Sequence, residues 1–452
     1  MSTKRTIFII VTVIGVLALA AGLAVLIWWL VSNGPPPEDF TVITLEGDGI
    51  GEVPYTAAIT RIRDVGDMFW WFYPTVRSAS FTRPLILWLD GVTGVPPSLL
   101  ANFGMFGPYD TNLNRRNSSW VEDYNLLFVD APLGTGFSTA NEDSNIPRDV
   151  DESADHLLLT LESFYSRNQE FSNTPLYIFG QAHGAQLALA LAIRLDDTER
   201  FNHNLQGVIL GDGIISPAVA LTRLGFYLEE MGYIDARGRD EIEALSNKTT
   251  SLVTSESFGE AFDEFLTLGK FVNENAGAVA VNLAHIVDKV TQETNRKDYF
   301  GQTKYLRQKL GKTLSDFMDA TVKPALGLPS DVYFDFKREN VNQAFRNSFM
   351  KPATDKVEYI LQNTELIVTI YNGNLDAVST TPGQLEWVNT LQWVGQSQFR
   401  SSPRQTLVID GLVQGYFRET DRLAFYWFNA AGQSVPLDSP SAMYRVLQRI
   451  TT

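Results

Sequence analysis

The chain contains no cysteine among its 452 residues and only four histidines, His156, His183, His203 and His285. Disulfides and thiolate metal sites are therefore excluded, and four scattered imidazoles offer no zinc-ligand spacing. No metal and no cofactor is expected. Basic residues are also in short supply, with 36 lysines and arginines against 52 acids and a formal charge of −16. The first 31 residues hold only Lys4 and Arg5 and no acid, so the remainder stands at 34 against 52, or −18. A surface that acidic repels nucleic acid, which is excluded as a partner. No internal repeat or low-complexity stretch interrupts the chain. What is present is apolar material: 44% hydrophobic and 12% aromatic residues, enough to bury a sizeable core.

The N-terminus is organised differently from the rest. Ile7–Val31 is an uncharged run of 25 residues in which Thr12 is the one clearly polar member. At ~1.5 Å per residue it spans roughly 37 Å, which covers a bilayer core with some tilt. Lys4 and Arg5 precede it, and the positive-inside bias puts them in the cytosol and the body outside. The expectation is a tail at 1–6, a transmembrane signal anchor at 7–31, a linker at 32–49 and a globular domain at 50–452. A cleaved signal peptide is the alternative, which the length of the run and Trp28-Trp29 at its end disfavour. Either topology places the body in the secretory lumen or outside the cell. The sequons Asn117-Ser-Ser119 and Asn247-Lys-Thr249 are candidate glycosylation sites suited to that location.

Beyond the linker, β-like runs at Tyr55–Arg63 and Met68–Tyr73 come first. Continuous apolar runs follow at Leu85–Leu89, Leu126–Val129, Leu176–Phe179, Val208–Leu210, Leu366–Tyr371 and Thr406–Ile409. Helical periodicity separates several of them, at Asp149–Tyr165 and Gln186–Leu195. Strands without alternation, spaced by helices, predict an α/β fold with a mostly parallel sheet buried on both faces. Residues 218–350 carry short helical patterns, at Leu221–Met231, Glu256–Phe271, Tyr305–Phe317 and Glu339–Phe345, and read as a helical insertion.

Residues 180–185, Gly-Gln-Ala-His-Gly-Ala, follow one apolar strand and precede a helix. This is the setting of a G-x-S-x-G nucleophile elbow, with both glycines intact and Ala182 between them. A methyl group cannot attack a carbonyl. Further strings include Asn125-Leu-Leu-Phe-Val-Asp130, Pro132-Leu-Gly-Thr-Gly-Phe-Ser138, Phe349-Met-Lys-Pro352, Tyr371-Asn-Gly-Asn-Leu-Asp376 and Leu423-Ala-Phe-Tyr-Trp427. Together they make the chain resemble the serine carboxypeptidases, most closely the retinoid-inducible branch, from about residue 50 to 450.

The resemblance implies an α/β-hydrolase fold and a Ser–Asp–His triad in that chain order. Position by position, Ala182 stands for the serine, Asp376 keeps the aspartate, and Gln433 stands for the histidine. All four histidines precede Asp376. The family's oxyanion segment, Gly-Gly-Pro-Gly, reads Asp90-Gly91-Val92-Thr93-Gly94 here. Val92 is expected to hinder close backbone approach, and Asp90 to set a carboxylate near a developing oxyanion. Recognition of a substrate's terminal carboxylate uses a polar group at position 90 and acids at the positions of Gln181 and Met105.

Plainer readings stand beside these. Asp376 follows an Asn-Gly turn and is expected to satisfy local donors. His183 is expected as a turn or pocket-wall residue, Ser138 as a structural hydrogen-bonder, and Trp70–Tyr73 as sheet packing. The reading that results is a membrane-anchored pseudo-peptidase ectodomain that binds, scaffolds or regulates. Its partners would be the membrane, through the N-terminal helix, and an unidentified protein or peptide ligand. A homo- or heterodimer is allowed. The alternative is an active serine-type carboxypeptidase, or another hydrolase with a non-standard site.

Overall fold

A computed structural model describes residues 39–92, 95–277, 281–288, 314–334 and 339–451. The tail and apolar run expected at 1–31 lie outside them. Among the described residues no helix is long and apolar enough to cross a membrane.

Twelve strands form one sheet: β1 (Phe40–Thr44), β2 (Thr56–Ile62), β3 (Gly66–Tyr73), β4 (Leu85–Leu89), β5 (Asn125–Val129), β6 (Thr139–Ala140), β7 (Pro175–Gln181), β8 (Asn204–Gly211), β9 (Ile367–Gly373), β10 (Gln405–Ile409), β11 (Leu412–Glu419) and β12 (Leu423–Phe428). Their order is β1-β2-β3-β5-β4-β7-β8-β9-β12-β11-β10, with β6 on β3. The six central strands, β5 through β12, run parallel, and the flanks on both sides are antiparallel. Every residue of β4 and β5 is buried, as strands covered on both faces require. Trp70, Trp71, Phe72 and Tyr73 are all buried in β3, with Trp70 edge-on to Phe164 and Trp71 stacked on Tyr73. They pack the sheet, as expected.

Helix α1 (Val150–Arg167) starts where Asp149 accepts the backbone N–H groups of Asp151 and Glu152, at 3.0 and 2.9 Å. It lies beside α2 (Gly184–Asp196), whose Ala/Leu sequence is buried along nearly its whole length. The insertion after β8 is helical: α3 (Pro217–Leu221), α4 (Leu224–Glu230), α5 (Ala236–Thr254) and α6 (Phe258–Asn275), with no strand among its described residues.

Two expectations need correcting, and one helix was not anticipated. The linker does not extend to 49, because Phe40–Thr44 pairs antiparallel with β2 as the sheet's first strand. The helix expected at Leu221–Met231 is two short helices that break at Thr222-Arg223. Helix α5, unforeseen, buries Gly238, Ile242, Ser246 and Thr249 along one face. A stripe built mostly from glycine and hydroxyl residues leaves almost no hydrophobic periodicity to detect. Of the helix expected at Tyr305–Phe317, only Leu314–Phe317 lies within the described residues, and it is helical.

Candidate active site

β7 ends in a two-residue turn, Ala182-His183, that feeds directly into α2. Ala182 sits at φ +51°, a left-handed conformation unusual for any residue with a Cβ. Its N–H donates to Gly211 O and its carbonyl accepts from Ile214 N, both at 3.0 Å. The flanking glycines are demanded by packing. A Cβ on Gly180 would come within 2.2 Å of Gly184 O, and one on Gly184 within 2.3 Å of Leu89 O. The turn has the geometry of a nucleophile elbow, and a methyl group stands at its apex.

His183 is the second residue of the turn. Its ring lies fully buried, stacked on Phe349 at 4.9 Å and edge-on to Phe345. Burial pulls its pKa down to about 3, so the imidazole is neutral. Ser138 donates to Asp130 O at 2.6 Å and accepts from Phe69 N at 2.8 Å, a structural role.

The other two positions expected for a triad, Asp376 and Gln433, follow β9 and β12. With the elbow after β7, all three leave the carboxyl ends of parallel strands, where ligands of open α/β sheets bind. Asp376 is fully buried. It accepts Val378 N and Ser379 Oγ, each at 2.7 Å, so the donors it satisfies are local. Burial pushes its pKa up to about 7 despite those bonds. Asp212, at the end of β8, accepts Gly373 N at 2.7 Å and is pushed well above the carboxylate range by burial and then by Asp376. Both acids are held toward their neutral forms. Gln433 is buried, and its N–H donates to Ala284 O at 2.8 Å.

That last bond brings in a neighbour the sequence did not signal. The segment Val281–Ile286 lies against the loops carrying Asp376 and Gln433, through Ala377 N to Leu283 O and Ile286 N to Leu375 O, both 2.8 Å. His285 packs on Gly432, with Nε2 3.9 Å from Asp438 and Nδ1 3.4 Å from Asp288. No motif or spacing links position 285 to 433; only the fold does.

The fourth side of the site is the loop after β4. Gly91 takes φ +77°, and a Cβ there would lie 2.6 Å from Gly184 N. Val92 is buried, and its N–H donates to His183 Nδ1 at 3.5 Å. A backbone donor of the kind that would serve an oxyanion is thus turned toward the adjacent imidazole. Thr93 and Gly94 lie outside the described residues. The expectation for Asp90 is corrected: its carboxyl is fully buried, accepts Trp88 Nε1 at 2.9 Å and Gln181 Nε2 at 3.2 Å, and is driven well above its usual pKa, chiefly by burial. A largely neutral, tethered acid does not confront an oxyanion with charge. Gln181 Nε2 also reaches Ser434 Oγ at 3.4 Å. An acid and an amide still face each other here, with the acid on the loop and the amide on the elbow. Met105 is buried in a π-helical turn (Leu100–Phe106) and lines a cleft with Pro436.

With this geometry in place, comparison with known proteins is decisive. The family model for serine carboxypeptidases, Peptidase S10, matches residues 60–452. The chain belongs to the serine carboxypeptidase family. It is 30% identical over 408 residues to the retinoid-inducible serine carboxypeptidase of Rattus norvegicus, covering 86% of this chain and 90% of that one. Serine carboxypeptidase-like 51 of Arabidopsis thaliana is also 30% identical, over 424 residues with the same coverage. The crystal structure of KEX1(DELTA)P, a prohormone-processing carboxypeptidase from Saccharomyces cerevisiae, superposes with a TM-score of 0.74 at 20% identity, over 90% of this chain and 95% of that one. The fold is the α/β-hydrolase type that this family shares.

Proposed function

We propose that this member of the family is a membrane-anchored, extracytoplasmic protein without peptidase chemistry, which binds, scaffolds or regulates a partner. One observation carries the reading: the elbow presents Ala182 where the family's nucleophile stands. Gln433 adds to it, since an amide cannot take the proton that an imidazole takes. Loss of a triad nucleophile or base costs on the order of 10⁶ in kcat in serine proteases, and the oxyanion hole supplies much of what remains. Here the Val92 N–H is directed at His183, which weakens that remainder too.

Anchoring rests on the Ile7–Val31 run, and a lumenal or extracellular body on Lys4 and Arg5 preceding it. Carbonate washing should leave the protein in the membrane fraction. A soluble product whose N-terminus falls within residues 20–40 would replace the anchor with a cleaved leader.

One contact favours a hydrolase with a non-standard site: His285 packs beside Gly432, near Asp438, and Ser434 follows two residues on. Against it, Ser434 is buried and its Oγ lies within reach of Gln181. A fluorophosphonate probe separates the two readings. No serine of the native protein should be labelled. Stoichiometric labelling mapped to Ser434, or release of a C-terminal residue from a blocked dipeptide, would establish the enzyme.

A further inference from the structure

A cleft of about 410 Å³ lies between the loop that carries Asn117 and the C-terminal helix α7 (Pro440–Ile450). That is the size of a small-molecule site, about 300–1,000 Å³. Its lining combines Met105, Phe106 and Trp120 with Pro436 and Tyr444. Phe106 and Trp120 stack at 3.8 Å and 13° and are themselves almost fully buried, so they form a rigid floor, while the half-buried Tyr444 and the exposed Pro440 supply the accessible apolar wall. Glu122, Arg445 and Gln448 supply polar groups to the same lining.

The sequon is fastened to this cleft. Ser119, its hydroxyl residue, donates to Phe106 O at 2.7 Å, while Asn117 is exposed and is itself part of the lining. An aromatic and aliphatic surface accompanied by hydrogen-bonding groups suits a saccharide. The C–H faces of the ring lie on the apolar surface, and its hydroxyl and acetamido groups reach the polar side chains. A glycan rooted at Asn117 begins inside the cleft. Asn247 differs: it is exposed in the middle of α5, on a face rich in polar side chains.

We propose that Asn117 is N-glycosylated and that the first sugars of its glycan occupy this cleft, covering the apolar surface between the Asn117 loop and α7. The inference rests on the lumenal placement of the body argued above. In the modification, the Asn117 amide nitrogen loses a proton and bonds to the anomeric carbon of a lipid-pyrophosphate-linked oligosaccharide, whose pyrophosphate leaves. The transfer precedes folding, so the later burial of Ser119 does not obstruct it.

The test uses the full chain, made in a secretory host, extracted in detergent and treated with an N-glycan amidase before and after denaturation. Glycopeptide mass spectrometry then reads both sequons. The expected result is that both carry glycan, that the native protein releases it from Asn247 at least tenfold faster than from Asn117, and that denaturation abolishes the difference. Asn117→Gln should also lower the melting temperature by several degrees more than Asn247→Gln. Equal release from the folded protein overturns the proposal and leaves the lumenal placement intact. So does a bare Asn117 beside an occupied Asn247, which would leave the cleft to a peptide or a second protein. If both sequons are bare, the proposal falls and the lumenal placement loses its glycan support.

Discussion

The Gly180–Gly184 elbow and the Asp90–Val92 loop touch each other, joined by a 2.9 Å bond from Gly184 N to Asp90 O, yet they have kept different things. The elbow retains its backbone: two glycines in contact with neighbouring main chain, and a left-handed residue between them. The loop retains Gly91, which backbone contact also demands, while the side chains of Asp90 and Val92 beside it are buried in contacts of their own. Packing fixes glycines because a Cβ would strike main chain, which cannot move aside cheaply. Side chains whose value lay in handling a substrate are not held that way. Where the two regions meet, the fold enforces the scaffold and leaves the chemistry free to change.

The harshest way to break the comparison is Gly184→Ala. Its methyl would lie 2.3 Å from Leu89 O, so the cost should exceed about 4 kcal/mol, and secreted yield and melting temperature should collapse. Next comes Asp376→Asn. An acid whose pKa is raised in the folded state binds its proton more tightly there. Its contribution to stability is therefore lost as pH rises from the unfolded value of 3.8 toward about 7. Asparagine can still accept Val378 N, and Ser379 Oγ can turn its hydrogen to Asp212 O, 3.0 Å away. The variant should thus gain on the order of 3 kcal/mol at pH 7.5 and little at pH 4.5, read from melting curves at both. An equal gain at both pH values would show that Asp376 is not the buried acid described here.

Smaller effects sharpen the contrast. Ala182→Gly relieves a left-handed alanine and should shift stability by no more than about 1 kcal/mol, since glycine's greater unfolded entropy offsets the relief. The smallest effect expected is none. Ala182→Ser with Gln433→His should yield no measurable carboxypeptidase turnover at acidic pH, because one absent oxyanion donor alone costs about 10²–10³ in rate and Val92 N–H is directed at His183. Robust turnover by that double variant would mean the loop still serves catalysis.

Much of this was legible in the sequence because it was written in runs. The parallel centre of the sheet buries both faces, so β4 and most of β5, with Leu176–Phe179 of β7 and Val208–Leu210 of β8, stand out as unbroken apolar runs. The antiparallel flank was harder: β11 is half-exposed and mixes Gln414, Gly415, Arg418 and Glu419 into its strand. At the site, the elbow and the positions of Asp376 and Gln433 follow from local strings. The state of Asp90 does not. Its neutral character comes from burial and from the nearby Asp130, which outweigh the donors Trp88 and Gln181, and both Asp130 and Gln181 are brought to it from distant parts of the chain. The closeness of His285 to Gly432 is likewise a product of tertiary folding alone.

The backbone contact of Gly180 and Gly184 has a consequence for ancestry. A lineage that abandons hydrolysis can replace the residue at 182 at once, but it cannot shed the glycines on either side without prising β7 from α2 and α2 from β4. The elbow then persists as a fossil whose outline is maintained by architecture. Chains descended from such an ancestor will go on displaying the frame of the motif long after its centre has emptied. In this family, kinship is recorded by the glycines and livelihood by the residue between them.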